Sequence, residues 1–179
     1  MNDLQILFLG LGMLCLAVAL WAWSSPGTVL RFLQELPRNQ ALGKFLMLVN
    51  TVWALWLFHL MRLGDWDIYK QIILYAGPLI YWFIITHVTN YLGARSAGLL
   101  LILAAKPLLK ICFLHDEPLR LVIVIIAYLW VLAGITLVAA PHWLRDFANF
   151  LGSKPKLWRW NCQLKAASGI TLIILAFLA

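Results

Sequence analysis

Residues 25–36, SPGTVLRFLQEL, find a counterpart in residues 140–151, APHWLRDFANFL, and the fold turns on that pairing. At one constant offset Pro26 falls on Pro141, Val29 on Leu144, Phe32 on Phe147, Leu33 on Ala148 and Leu36 on Leu151. Apolar residues at i, i+3, i+4 and i+7 form one stripe of an α-helix, so each stretch reads as a short amphipathic helix. Proline suits the first helical position, where its missing N–H would have no intrahelical partner. Pro37 and Gly152 stop the two helices one residue past the last stripe position.

On both sides of each stretch the chain is apolar. Segments 4–23, 42–61, 71–92, 96–113, 119–139 and 164–178 approach the roughly 20 apolar residues that a helix needs to cross a bilayer. Over all 179 residues the chain is 64% hydrophobic and 12% charged, with a mean hydropathy of +0.89, whereas a soluble domain carries about 25% charged residues. The sequence therefore predicts an all-α integral membrane protein: a six-transmembrane-helix bundle with two short cytoplasmic interfacial amphipathic helices and a parallel internal repeat. The chain forms a single polytopic membrane domain, 1–179, in which units 4–61 and 119–178 flank a central hairpin, 70–114. Both units cross from outside to inside first, as repeats related by an axis along the membrane normal do. Ala17, Val18 and Ala19 resemble a signal-peptide cleavage site, but Asp3 and no base precede them, so the first segment is read as a retained helix.

The net charge of +7 takes its meaning from its distribution. Arg31, Arg38, Lys44, Arg95, Arg145, Lys154, Lys156, Arg159 and Lys165 fall on one side of the predicted membrane. Arg62, Lys70 and Arg120 fall on the other, with Asp3, Asp65, Asp67, Asp116 and Glu117. Basic loops stay cytoplasmic, so both termini are placed in the periplasm, and the charge needs no nucleic acid to explain it. Arg31, Arg38, Arg145, Lys154, Lys156 and Arg159 are the expected contacts to the membrane surface or to a partner. The order of span, proline-led amphipathic helix with "APHWLRDF", and second span resembles that of small bacterial inner-membrane proteins. The resemblance names no activity, and nothing is carried over from it.

Within the predicted spans, Lys106 stands out. It lies ten residues beyond Ser96, about 15 Å along a helix, and a lysine at the bilayer centre costs about 2.5–3.5 kcal/mol. Lys110, one turn on, can reach the outer Asp116 and Glu117 by snorkelling. Pro107 denies the Leu103 carbonyl its helical donor. Asn50, Tyr81 and Tyr128 fall at similar depth by the same count, so Lys106 either joins them in a closed polar layer or faces an anionic ligand. Lys106, Pro107, Lys110, Asn50, Tyr81 and Tyr128 form the candidate binding set.

Haem is a minor alternative, with His59 and His115 near the outer surface and His87 and His142 near the inner one as possible axial pairs; no cofactor is otherwise implied. Cys15, Cys112 and Cys162 lack the short spacing of a metal or redox pair, so no metal site is expected. Trp21, Trp23, Trp66, Trp143, Trp158 and Trp160 read as interfacial anchors. No span contains Asp or Glu, which speaks against a cation carrier with a buried carboxylate. HExxH, a phosphate loop and a Ser–His–Asp pattern are all missing, so no residue is assigned as catalytic. Two readings follow. One is a non-catalytic subunit or assembly partner of a larger membrane complex, contacting lipid and other membrane polypeptides or a second copy. The other is a transporter, channel or lipid/anion-binding protein with a midplane Lys–Pro site.

Overall fold

A computed structural model of the chain describes residues 2–62, 64, 67–88, 90–113 and 117–178. They fold as α1 (Asp3–Ser24), α2 (Pro26–Glu35), a 3-10 turn (Leu36–Arg38), α3 (Gln40–Leu60), α4 (Asp67–His87), α5 (Leu92–Phe113), α6 (Arg120–Ala139), α7 (His142–Gly152) and α8 (Pro155–Leu178). Among the described residues five helices, α1, α3, α5, α6 and α8, are long and apolar enough to cross a membrane. The protein is an all-helical, multi-pass membrane protein. With 21 residues α4 matches those five helices in length, and Asp67, Lys70, Gln71, three tyrosines and Pro78 stand among its apolar residues. It ends at His87 rather than at the expected 92, and Tyr91, at φ 58°, turns the chain in the left-handed region before α5.

Two antiparallel helix pairs use the same device. A Cβ added at Gly12 of α1 would lie 2.9 Å from the Gly169 carbonyl oxygen of α8, and one added at Gly169 would lie 3.0 Å from that of Gly12. Gly98 of α5 and Gly134 of α6 face each other in the same way, at 2.7 and 2.6 Å. Without a hydrophobic drive between helices in lipid, close backbone packing at small residues holds such pairs together. One core joins the pairs: Leu4, Phe8 and Leu11 of α1 meet Ala105, Leu108 and Cys112 of α5, Ile123 and Ala127 of α6, and Leu172 and Ala176 of α8.

At the other end of the bundle the two amphipathic helices lie side by side. Gln34 Nε2 of α2 donates to Asn149 Oδ1 of α7 at 2.9 Å, between residues 115 apart in sequence. The residues entering these helices share a backbone conformation, Ser25 at φ −137°, ψ 64° and Ala140 at φ −129°, ψ 70°. The N–H of Ser25 donates to the Trp21 carbonyl at 3.0 Å, and that of Ala140 to the Thr136 carbonyl at 2.8 Å. Past α2, the 3-10 turn packs on the start of α5, where the Leu36 carbonyl abuts Gly93 so closely that no side chain fits. Asn39 then caps α3, its side chain accepting from the Leu42 N–H at 3.0 Å.

Along α3 runs α4, in the opposite direction. Lys70 Nζ donates to the Met61 carbonyl at 2.7 Å at one end, Leu55 lies across Gly77 in the middle, and the Tyr81 hydroxyl donates to the Lys44 carbonyl at 3.4 Å at the other.

Candidate functional site

Between α3, α4 and α5 the packing opens into a cavity of about 420 Å³, within the range of small-molecule sites. Its walls follow from helical spacing. Met47, Asn50, Thr51, Ala54, Leu55 and Phe58 come from one face of α3, Ile73, Gly77, Ile80 and Ile84 from α4, and Leu99, Ile102 and Leu103 from α5. The small side chain of Ala54 leaves space that a larger one would fill, and Leu55 lies over Gly77. Ala54, Ile73 and Ile80 are exposed, so the cavity opens on the flank that faces lipid.

The wall is hydrocarbon but for two side chains. Thr51 Oγ1 donates to the Met47 carbonyl at 2.8 Å. Asn50, only 2% exposed, donates from Nδ2 to the Ser96 carbonyl of α5 at 2.7 Å. Ser96 is fully buried, and its hydroxyl turns back on its own helix, towards the Leu92 and Gly93 carbonyls at 2.8 and 3.1 Å. The Ser96 carbonyl sets the orientation of the Asn50 amide, since the flipped amide would oppose two acceptor oxygens. That leaves Asn50 Oδ1 buried with no donor among the described residues, a deficit worth about 1–3 kcal/mol. Two backbone carbonyls of the surrounding helices also lose their helical donors: that of Leu103, in the wall, to Pro107, and that of Leu74, next in sequence to the wall residue Ile73, to Pro78.

Of the residues singled out in the sequence, Asn50 alone lines this cavity. Half-buried Lys106 continues the row Leu99, Leu103 along α5, one turn past the last wall residue, and Pro107 and Lys110 are exposed. Asn50 sits level with Ser96, about 15 Å from Lys106 along α5. The hydroxyl of Tyr81 engages Lys44, near the start of α3, and Tyr128, 58% exposed, stands on the outward face of α6. The four groups are therefore spread over different levels and faces. Ser96, Thr51, Gly77 and Pro78 escaped the sequence reading; the small residue opposite Leu55 and a second intrahelical proline were the available signals.

Arg31, Arg145, Lys154, Lys156 and Arg159 lie on or beside α2, α7 and the start of α8, and Arg38 lies on the 3-10 turn beside Gln40, Asn90 and Tyr91. Arg31, Arg38, Lys156 and Arg159 are exposed; Arg145 Nε lies 3.6 Å from Asp146 Oδ1, and Lys154 Nζ lies 4.5 Å over the Phe150 ring. Trp158 Nε1 donates to the Ala22 carbonyl at 3.1 Å, pinning α8 to α1. Beside it Trp23, Pro26, Trp158 and Arg159 border a hollow of about 360 Å³.

His59, His87 and His142 are exposed. His59 and His87 end α3 and α4, two antiparallel helices, and so stand at opposite ends of the bundle. His87 stacks on Phe83 at 4.3 Å, and His115 lies outside the described residues. No group of three or more His, Cys, Asp or Glu side chains that could hold a metal ion forms among the described residues.

No protein-family model matches the chain, and comparison with curated proteins and with solved structures likewise finds no match.

Proposed function

We propose that the protein is a non-catalytic membrane protein that takes an apolar molecule sideways from the lipid into the cavity between α3, α4 and α5. The observation that carries this reading is a hydrocarbon-walled space, open towards lipid, with one buried and unsatisfied polar atom at Asn50. This transfers the binding reading from the Lys106–Pro107 break to the inner part of the same helix. Native mass spectrometry of protein released gently from its membranes tests it. The wild type carries a co-purifying lipid-like mass, and Ala54→Phe, which fills the cavity, loses it; retention of that mass by Ala54→Phe contradicts the proposal.

The setting proposed for this site is a six-span bundle in a bacterial inner membrane, with the basic loops cytoplasmic and both termini periplasmic. Support for α4 as the sixth span is its antiparallel course beside α3, held at both ends and in the middle. Support for a duplicated three-helix unit is the common offset of α1–α3 and α6–α8, the Gln34–Asn149 bond between equivalent positions, and the matched backbone at Ser25 and Ala140.

A second reading, a subunit of a larger membrane complex or of a homo-oligomer, is favoured by the exposed aromatic row Trp143, Phe147 and Phe150 on α7, flanked by Lys154. Alanine at Lys154, Lys156 and Arg159 then weakens every co-purifying polypeptide contact; unchanged contacts contradict it.

A further inference from the structure

We infer that the molecule held in this cavity is a neutral, long-chain compound with one hydroxyl or N–H group, which donates a hydrogen bond to Asn50 Oδ1. The inference rests on the proposed cavity function and names its ligand class.

Asn50 Oδ1 is an acceptor, its residue is more than nine-tenths buried, and its amide cannot turn without opposing the Ser96 carbonyl. The oxygen is closed off from the cavity, so the wall must part slightly for a donor to reach it. The other polar valences of the wall have the same sign; the buried Arg95 Nε, unmatched among the described residues and one residue before Ser96, lies outside the wall. Thr51 has committed its hydroxyl proton to Met47, which leaves lone pairs, and Pro107 frees the carbonyl of Leu103. Among the described residues no cationic side chain lines the space. An anion would meet acceptors and find no positive charge to offset its desolvation, so the anionic ligand suggested by Lys106 does not suit this pocket.

Depth narrows the class further. Asn50 lies ten residues into α3, about 15 Å from its start, and its partner Ser96 four residues into α5, about 6 Å from that helix's start, so the site lies within the apolar layer rather than at a helix end. A phospholipid keeps its headgroup at the interface and brings no donor to this level. A neutral alcohol, isoprenoid alcohol or quinol can place a hydroxyl there, because its polar group carries no charge to hold it at the surface.

The test uses the purified full chain in phosphatidylcholine nanodiscs and a 1-hexadecanol probe with a diazirine in mid-chain. Unlabelled 1-hexadecanol and its methyl ether, which has lost the donor, compete with it. The label is expected on peptides of α3, α4 and α5, with the alcohol competing about fivefold better than the ether, the size of one net hydrogen bond. In Asn50→Leu the label stays and the preference falls to unity; in Ala54→Phe the label disappears. Equal competition by alcohol and ether in the wild type overturns the inference, since water then satisfies Oδ1, and leaves the cavity reading standing. A preference that survives in Asn50→Leu overturns it equally. Label absent from the cavity wall, or undiminished in Ala54→Phe, removes the cavity reading and the inference together. The wild-type comparison decides the matter even where Asn50→Leu fails to fold.

Discussion

Asn50 spends one hydrogen bond on Ser96 and leaves another group of its amide unmatched, so its two contributions to stability oppose each other. A native hydrogen bond is worth about 0.5–1.5 kcal/mol net, and a buried unsatisfied acceptor costs about 1–3 kcal/mol; polar bonds between helices in lipid are modest as well. Asn50→Leu is therefore expected to leave ligand-free stability within about 1 kcal/mol of the wild type or above it, read by thermal unfolding in detergent. A loss of the size seen for a core truncation, about 2–5 kcal/mol, contradicts this. Lys106 is the converse case. A midplane ammonium is expensive, but a midplane depth follows only if the span begins at Ser96; the helix starts at Leu92 and carries Lys106 well past the middle of its 22 residues. Half-buried beyond the cavity, it has a short path to the membrane surface at the Phe113 end of α5. Lys106→Met is expected to preserve photolabelling of the cavity and leave stability equal or higher, since burying charge is costly; loss of labelling shows that the lysine belongs to the site.

Elements differ in how openly the sequence declares them. α2 and α7 were legible because a 3.6-residue stripe and a leading proline are local signals. The glycine contacts were not, because a glycine in an apolar run reads as one more small residue until a second helix is placed against it. Gly12, Gly98, Gly134 and Gly169 each face a carbonyl oxygen of the neighbouring helix, whereas Gly10 has nothing within 4 Å of its would-be Cβ. Gly98→Ala and Gly12→Ala are expected to destabilise by about 1–3 kcal/mol through overpacking. Gly10→Ala is expected to be neutral or stabilising, because alanine favours the helix by about 1 kcal/mol. Thermal melts of the three variants check the contrast, and similar shifts at Gly10 and Gly98 contradict the close approach. The cavity was hidden for the same reason. Asn50 was visible as a polar residue in mid-span, but its partner Ser96 was taken for the edge of a span, and the space follows from how α4 lies on α3.

For the whole molecule, composition and segment length made an all-helical membrane protein plain, and charge placement suggested its orientation. The number of crossings is less legible, because α4 carries polar residues among its apolar ones and composition alone leaves it ambiguous. Its pairing with α3 at both ends favours a crossing. Cysteines introduced at Gly64 and Asn90, one at each end of α4, check this in a background with Cys15, Cys112 and Cys162 replaced. In intact cells an impermeant maleimide is expected to label position 64 and spare position 90. Labelling of both places α4 along one surface and removes the sixth span.

The central claim is that the space between α3, α4 and α5 exists to be filled. A ligand that binds only the native state raises the melting temperature in proportion to its occupancy, so the most direct test is the thermal shift of the full chain on titration with 1-hexadecanol. The wild type is expected to shift upwards and saturate, while Ala54→Phe stays where it is. Equal, unsaturating shifts in both proteins would mean that the alcohol acts on the detergent or lipid around the helices, and the cavity would lose its role.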